Sequence, residues 1–298
     1  GTVTGFQTCA LPISLAADVT IATIPVVPSA AKGLGIMQIN PERRIVRFVE
    51  KPKDPEVLNS LRLERELYTR LGIEGDDDYL LASMGIYVFN REVIVRLLDN
   101  NLADFGKDVI PAAIEKQRVF SYIFQGYWED IGTIRSFFEA NLDLVSELPR
   151  FNFYDMTSPI FSRPRFLPGS KINGAGIDHA MVADGCIINH AQISHSIIGL
   201  RSIVGSGTRL QRVVLMGSDY YESQSSILEN EMVGKPRIGI GQNCRIENAI
   251  IDKNARIGDN VIISPAGKEL NVDNPLYCIR DGVVVVPKNG VIPHGMVI

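Results

Sequence analysis

Apolar positions recur with two different periods along this chain, and the change from one to the other falls near its middle. In the first half, β-branched runs alternate with stretches of helical spacing. Val19, Ile21 and Thr23, interleaved with Thr20, Ala22 and Ile24, predict a strand ended by Pro25. Residues 36–39 and 45–49 predict two strands around the turn at Asn40-Pro41. The charged, Leu-punctuated stretch 53–78 predicts a helix-containing excursion that ends in the loop Gly75-Asp76-Asp77-Asp78, and 79–89 has the length and apolarity of a buried strand. Residues 91–99 read as helix and 119–124 as strand. Thr133 then caps a helix with Ile134, Phe137, Phe138, Leu142 and Val145 on one face, close to a 3.6-residue period. Strands alternating with helices predict an α/β layer.

After Pro149 the composition changes. Residues 150–169 are aromatic and carry Pro159, Pro164 and Pro168, as expected of a linker that packs against both halves. Beyond it the helical spacing disappears. Apolar residues fall at Ile187, Ile193, Ile198, Val204 and Leu210, with gaps of 6, 5, 6 and 6, and at Ile240, Ile246, Ile251, Ile257 and Ile263 with the same gaps. The blocks are offset by 53 residues, and Gly205 matches Gly258. Six-residue apolar spacing marks a hexapeptide β-helix, in which each short strand forms one wall of a triangular coil. The segment 218–236 interrupts the repeat as an excursion loop.

The 298 residues suit two domains at roughly 150 each. Hydrophobic residues at 45% and charged residues at 21% argue against disorder, collagen-like repeats and a coiled coil. A net charge of −4 gives no basic field for nucleic acid. Cys9, Cys186, Cys244 and Cys278 lie far apart, which disfavours a zinc site or a dense disulfide scaffold and fits a reducing, cytoplasmic setting. The most apolar early stretch, 11–31, is broken by Asp18, Pro25 and Pro28, short of the ~20 apolar residues a membrane span needs. No Lys or Arg precedes Lys32, so the basic start of a signal peptide is missing, and no membrane partner is expected.

Two segments could carry chemistry. Phe48-Val49-Glu50-Lys51-Pro52 ends a strand with a carboxylate beside an ammonium. Such a lysine can meet a phosphate as a point charge, and the carboxylate can accept sugar hydroxyls. The alternative is a solvated pair before a proline turn, which spacing alone favours. Tyr127-Trp128-Glu129-Asp130-Ile131-Gly132-Thr133 sets Asp130 where α/β folds place ligand sites, able to hold Mg²⁺ beside phosphates. A plain charge near a helix N-terminus fits that aspartate equally well. Other patterns carry less. Asp104-Phe105-Gly106 lacks the remaining kinase motifs, Gly239-Ile240-Gly241 lies inside the β-helix repeat, and His179, His190, His195 and His294 lack a metal spacing.

Several ordered segments together resemble glucose-1-phosphate adenylyltransferase, or ADP-glucose pyrophosphorylase. They are the Phe48–Pro52 and Tyr127–Thr133 segments (the latter with Gly126), Ala82-Ser83-Met84-Gly85-Ile86-Tyr87-Val88-Phe89, Asp104-Phe105-Gly106-Lys107-Asp108, Met216-Gly217-Ser218-Asp219-Tyr220-Tyr221-Glu222, and Ile250-Ile251-Asp252-Lys253-Asn254-Ala255-Arg256-Ile257-Gly258. The resemblance runs from about residue 15 to the C-terminus. It implies an α/β fold, a partial Rossmann-like nucleotidyltransferase domain followed by a left-handed parallel β-helix. The implied plan is a non-family tail over 1–14, the C-terminal part of the catalytic domain over 15–149, a linker over 150–169 and the β-helix over 170–298.

The resemblance further implies a reaction of ATP with glucose 1-phosphate to ADP-glucose and pyrophosphate, for glycogen or starch. Glu50, Lys51 and Ser83 would contact glucose 1-phosphate, Asp130 would be the catalytic, Mg²⁺-coordinating carboxylate, and the whole enzyme would be a homotetramer. Two family features are missing from this chain, the Gly-rich loop that cradles ATP and the Gly-Asp-His segment. The expectation is therefore a C-terminal portion that makes no ADP-glucose by itself. Alternatives are a related sugar-phosphate nucleotidyltransferase and a non-catalytic regulatory subunit. Finally, Lys253 and Lys288 are 35 residues apart. With 18 residues per coil they are expected on one face, two coils apart. Spacing alone makes them solvated turn lysines, whereas the resemblance makes them the site of an anionic allosteric effector such as 3-phosphoglycerate, with Arg201 or residues outside this chain as candidates for deciding which anion acts.

Overall fold

The computed structural model describes residues 16–298 apart from Lys32, Asp76 and 100–104. The tail 1–14, Cys9, Asp76 and Asp104 lie outside the described residues. The chain divides into two compact units, the first ending at Trp128 and the second running from Glu129 to Ile298. This division precedes the change in composition after Pro149.

The first unit is built on five strands: β1 (Val19–Val26), β2 (Gly35–Ile39), β3 (Ile45–Glu50), β4 (Leu80–Phe89) and β5 (Val119–Ile123), in the order β3-β2-β4-β1-β5. Only β1 and β5 run parallel; the other pairings are antiparallel. Its helices are α1 (Pro55–Ser60), α2 (Glu66–Leu71), α3 (Arg91–Leu98) and α4 (Ile110–Lys116). On one side of the sheet Val19, Ile21, Met37, Leu81 and Val119 pack with Leu67 and Leu71 of α2, Val93 of α3 and Ile110 of α4. The excursion expected over 53–78 is α1 and α2, and α2 stops at Gly72, whose φ of 70° is the left-handed cap that a residue without Cβ adopts at low cost.

Strand β1 does not stop at Pro25, as the sequence suggested, but continues to Val26. The reason lies in its two neighbours. Pairing with β5 ends at Thr23, while pairing with β4 continues through Pro25 opposite Leu81. A proline, which lacks an N–H, is tolerated in a strand where one side is free of a ladder.

The second unit opens with α5 (Ile134–Asp143) and continues as a parallel coil. One wall of the coil is a six-stranded parallel sheet made of β6 (Lys171–Asn173), β8 (Ile187–Asn189), β10 (Ile203–Val204), β12 (Gly239–Ile240), β14 (Arg256–Ile257) and β19 (Val291–Ile292). The other walls come from β7 (Gly176–Val182), β9 (Gln192–Ile198), β11 (Arg209–Leu215), β13 (Arg245–Ile251) and β18 (Val283–Val286), with β15 (Ile262–Ile263) beside β13. Each seven-residue strand bends at one left-handed residue, His179, His195, Arg212 or Asn248, with φ between 46° and 53°. A single strand therefore forms two walls, and the ring stack of His179 on His195 is one step of this corner column.

Three stacked aliphatic columns fill the coil: Ile188-Val204-Ile240-Ile257-Ile292, Ile193-Leu210-Ile246-Ile263 and Ile198-Leu215-Ile251-Val286. Nine of the ten positions expected from the period belong to them. The exception is Ile187, which is half-buried while its neighbour Ile188 is fully buried. A coil also takes 16 or 17 residues rather than 18, as the pairs Val204↔Ile188 and Leu210↔Ile193 show. The excursion 218–236 contains α6 (Gln224–Met232) and is anchored by a 2.7 Å ion pair between Arg256 and Glu222, both side chains at most 10% exposed. A second excursion forms β16 (Val272–Asp273) and β17 (Cys278–Arg280), which lead antiparallel into β18.

The apolar face predicted for the Thr133 helix is real, and it is buried against the coil: Phe138 and Leu142 pack with Val214, Ile250 and Val283. Arg212 reaches both oxygens of Glu139 at 3.1 Å. In the linker, Tyr154, Phe161 and Phe166 are 80–96% exposed, so these aromatic rings do not pack as expected. Among the described residues no helix is long and apolar enough to cross a membrane.

Candidate functional site

Glu50 and Ser83 sit on one transverse row of the first sheet. Glu50, the last residue of β3, pairs with Gly35 on β2. The β2–β4 register pairs Ile36 with Ala82, which sets Gly35 beside Ser83, and Thr23 of β1 pairs with Ser83 on the far side. Residues on one such row project to the same face. Glycine at the middle position leaves room for its neighbours: a Cβ on Gly35 would lie 2.7 Å from the Phe48 ring and 2.9 Å from Glu50 Oε2, so the ends of both side chains would have to shift. The Glu50 carboxylate thus lies over the bare backbone between itself and Ser83. Ser83 Oγ accepts the Gly85 N–H at 3.3 Å and is 3.5 Å from the Tyr87 hydroxyl.

Lys51 follows with a φ of 48°, a left-handed conformation that costs a non-glycine residue roughly 1–2 kcal/mol. Its own N–H donates to Leu34 O at 3.2 Å, which holds the turn. The side chain is exposed, and Nζ lies 3.8 Å from Glu50 Oε1. The structure therefore sets Glu50 and Ser83 on one row of the sheet, with the exposed Lys51 ammonium beside the Glu50 carboxylate. Neither Gly35 nor the strain at Lys51 was identified from sequence. A separate cavity of about 440 Å³, bordered by Pro25, Tyr79 and Gln125, contains none of the sequence-chosen residues.

Asp130 belongs to the second unit. It is exposed, and its Oδ1 accepts the Gly132 N–H at 2.9 Å in a turn that leads into α5. The helix N-terminus itself is served by Thr133, whose Oγ1 accepts the Ser136 N–H at 3.0 Å in a capping box. Among the described residues no group of three or more His, Cys, Asp or Glu side chains could hold a metal ion.

Lys253 and Lys288 do converge. The 35-residue separation places them on directly adjacent rungs, because β13 and β18 pair Ile251 with Val286; the expected two-coil spacing is wrong. The second excursion takes the length that a full coil would have used. The two lysines share Asp219: Lys253 Nζ is 2.9 Å from Oδ1 and Lys288 Nζ is 3.4 Å from Oδ2. The Lys253 and Asn254 contacts, with Lys288 behind them, hold the Asp219 carboxyl down at about 2. A cavity of about 700 Å³ opens here, lined by Arg163, Arg165, Arg201, Ser218, Asp219 and Lys253 among others. That volume suits a small ligand. The linker arginines and Asp219 had no site role in the sequence reading. No spacing rule connects them to the repeat, so only the folded chain could reveal them.

Comparison with known proteins matches two family models in succession along the chain. Residues 6–147 match the nucleotidyl transferase family model, and residues 165–297 match that of the GLGC left-handed parallel β-helix domain. The chain is 42% identical over 288 residues to the chloroplastic/amyloplastic glucose-1-phosphate adenylyltransferase large subunit 1 of Zea mays, covering 95% of this chain and 55% of that protein. It is 41% identical over 296 residues to the chloroplastic/amyloplastic small subunit of Triticum aestivum, covering 95% of this chain and 61% of the relative. The chain thus spans a little over half the length of the curated relatives it matches.

Proposed function

We propose that this chain, a nucleotidyl transferase domain continued by a GLGC-type left-handed parallel β-helix, acts within a glucose-1-phosphate adenylyltransferase. The observation that carries the reading is its similarity, through 95% of its length, to two subunits bearing that name. In the proposed reaction a phosphate oxygen of glucose 1-phosphate attacks the α-phosphorus of ATP. The new P–O bond gives ADP-glucose, and the bond to the departing pyrophosphate breaks.

Glu50 and Ser83 of the first sheet's row, and Lys51 next to Glu50, each have a part for which their chemistry suits them. Lys51 supplies a point charge to the sugar phosphate, while the Glu50 carboxylate accepts sugar hydroxyls. Ser83, on the same row, adds a hydroxyl. Asp130 is proposed as the metal carboxylate. Mg²⁺ is commonly held by one or two carboxylates with water and substrate phosphates completing its shell, so an exposed single aspartate fits it. When bound, the ion would neutralise charge developing on the phosphates.

Lys253 and Arg201, which line one cavity, and Lys288, which shares Asp219 with Lys253, are proposed to bind an anionic allosteric effector. Assembly as a homotetramer and a cytoplasmic location complete the proposal; the two relatives are named as subunits, of chloroplast or amyloplast.

The test is kinetic, on the protein extended to the length of its relatives. Lys51→Ala should raise the KM for glucose 1-phosphate ten- to a hundredfold, the equivalent of ~1.5–3 kcal/mol for a charge-assisted contact, and leave that for ATP nearly unchanged. Equal effects on both substrates would remove Lys51 from the sugar-phosphate site. A preference for another nucleotide would favour the related sugar-phosphate nucleotidyltransferase.

A further inference from the structure

The lysine pair of the β-helix already has an anion, and that anion belongs to the chain. Asp219 touches Lys253 with one carboxylate oxygen, at 2.9 Å, and Lys288 with the other, at 3.4 Å. The lysines have not simply drawn in a mobile side chain. Asp219 is fixed from a third direction by Asn254, whose Oδ1 accepts the Asp219 N–H at 2.8 Å and whose Nδ2 donates to Asp219 Oδ2 at 3.1 Å. Asn254 is buried and itself takes a left-handed turn conformation, so its amide is set by the coil. The carboxylate is therefore held in place before any ligand arrives. Meanwhile the Asp219 side chain is 40% exposed and the two lysines 41% and 54% exposed, which leaves the ion pairs open to exchange with solutes.

We propose that Asp219 is a resident counter-ion of this site, and that a phosphate-bearing ligand binds by exchanging with its carboxylate for Lys253 and Lys288. The proposal rests on the reading of those lysines as an anion site and adds the residue that sets its affinity threshold. A ligand with a single weak charge gains little from the exchange, because it replaces one carboxylate contact with another. A phosphoryl group carries up to two charges and three acceptor oxygens, enough to engage both ammonium groups and a neighbouring arginine together. Arg201 is placed for that third contact, on the same cavity and with its Nη1 3.2 Å from Ser218 O.

The experiment is a calorimetric titration of inorganic phosphate into the 298-residue chain at pH 8, at low and at moderate salt. Asp219→Asn removes the competing charge and keeps an oxygen for Asn254 to bond. It should tighten phosphate binding by roughly fivefold, the scale of two exposed ion pairs, with less gain at higher salt. Lys253→Gln and Lys288→Gln should each weaken binding. Thermal melts without phosphate establish that each variant is folded, and Asp219→Ser serves as the second neutral variant. If the lysine variants lose phosphate while both Asp219 variants bind it no more tightly than the parent chain, the counter-ion proposal is overturned and the anion-site reading stands. If the lysine variants bind phosphate as well as the parent does, the anion site falls and the counter-ion with it.

Discussion

The two units assemble their candidate sites by opposite routes. In the sheet of the first unit, β1 lies between β4 and β5, with Val19 paired to Phe89 on one side and to Val119 on the other. The row of Glu50, Gly35 and Ser83 exists only because the β2–β3 hairpin meets the later strand β4 in one register. In the coil of the second unit each rung lies on the one before it, and Lys253 comes beside Lys288 by the same stacking that aligns Ile251 with Val286. A site made by register is sensitive to single atoms in the sheet. One made by stacking tolerates insertions between rungs, as the two excursions show.

That contrast can be broken at three places. The largest effect is expected where an excursion is tied to the coil. Arg256→Ala would leave the Glu222 carboxylate, which is 6% exposed, without its cation and with only the Asn230 amide and the Ile238 N–H as partners, and should cost about 3 kcal/mol in urea unfolding. Adding Glu222→Gln, which removes the unpaired charge and can still accept the Ile238 N–H, should recover part of the loss. A cost below about 1 kcal/mol for the single variant would mean that the excursion is held by other contacts. Next comes the row itself. Gly35→Ala puts a methyl group against the Phe48 ring and the Glu50 carboxylate, and should cost about 1–3 kcal/mol in stability. Under the proposed function it should also weaken glucose 1-phosphate binding by the protein extended to the length of its relatives; unchanged affinity would show that the position of Glu50 over Gly35 is not used.

The smallest effect concerns Asp219 and pH. Its folded-state value is depressed from 3.8 to about 2, so the stability it contributes is fully present above the ordinary carboxylate range. That contribution should be lost as pH falls from about 4 to about 2. The gap in urea midpoint between the parent chain and Asp219→Asn should therefore be constant near neutrality and close by pH 2, and added salt should narrow it throughout. A gap that persists at pH 2 would assign the effect of the substitution to its hydrogen bonds with Asn254 rather than to charge.

Much of the architecture was legible in the residues alone, for physical reasons that differ between the halves. Strand and helix positions in the first unit followed from apolar spacing and turn chemistry, and the start of α5 in the second followed from its cap at Thr133. The β-helix was legible because each coil must bury an aliphatic residue at the same three places, so the repeat is written locally. Ile187 failed because the period cannot distinguish two adjacent isoleucines, and only the pairing of Ile188 with Ile172 and Val204 decides which one faces inward. Pro25 failed for a similar reason: whether a proline ends a strand depends on how far its neighbouring strand extends.

For the candidate sites, the sequence by itself determined which chemical groups are available, through Glu50, Lys51, Ser83, Asp130, Lys253 and Lys288. Tertiary structure decided their company. It placed Gly35 beneath the Glu50 carboxylate, bent Lys51 into a left-handed turn, and set Asp219 between two lysines 34 and 69 residues further along the chain. It also buried the apolar face of the Thr133 helix against the coil, where amphipathic spacing specifies that a face must be covered but not by what. Side-chain periodicity records the burial demanded of each element; register, coil length and the course of the excursions arise from contacts among elements, and these determine which charges meet.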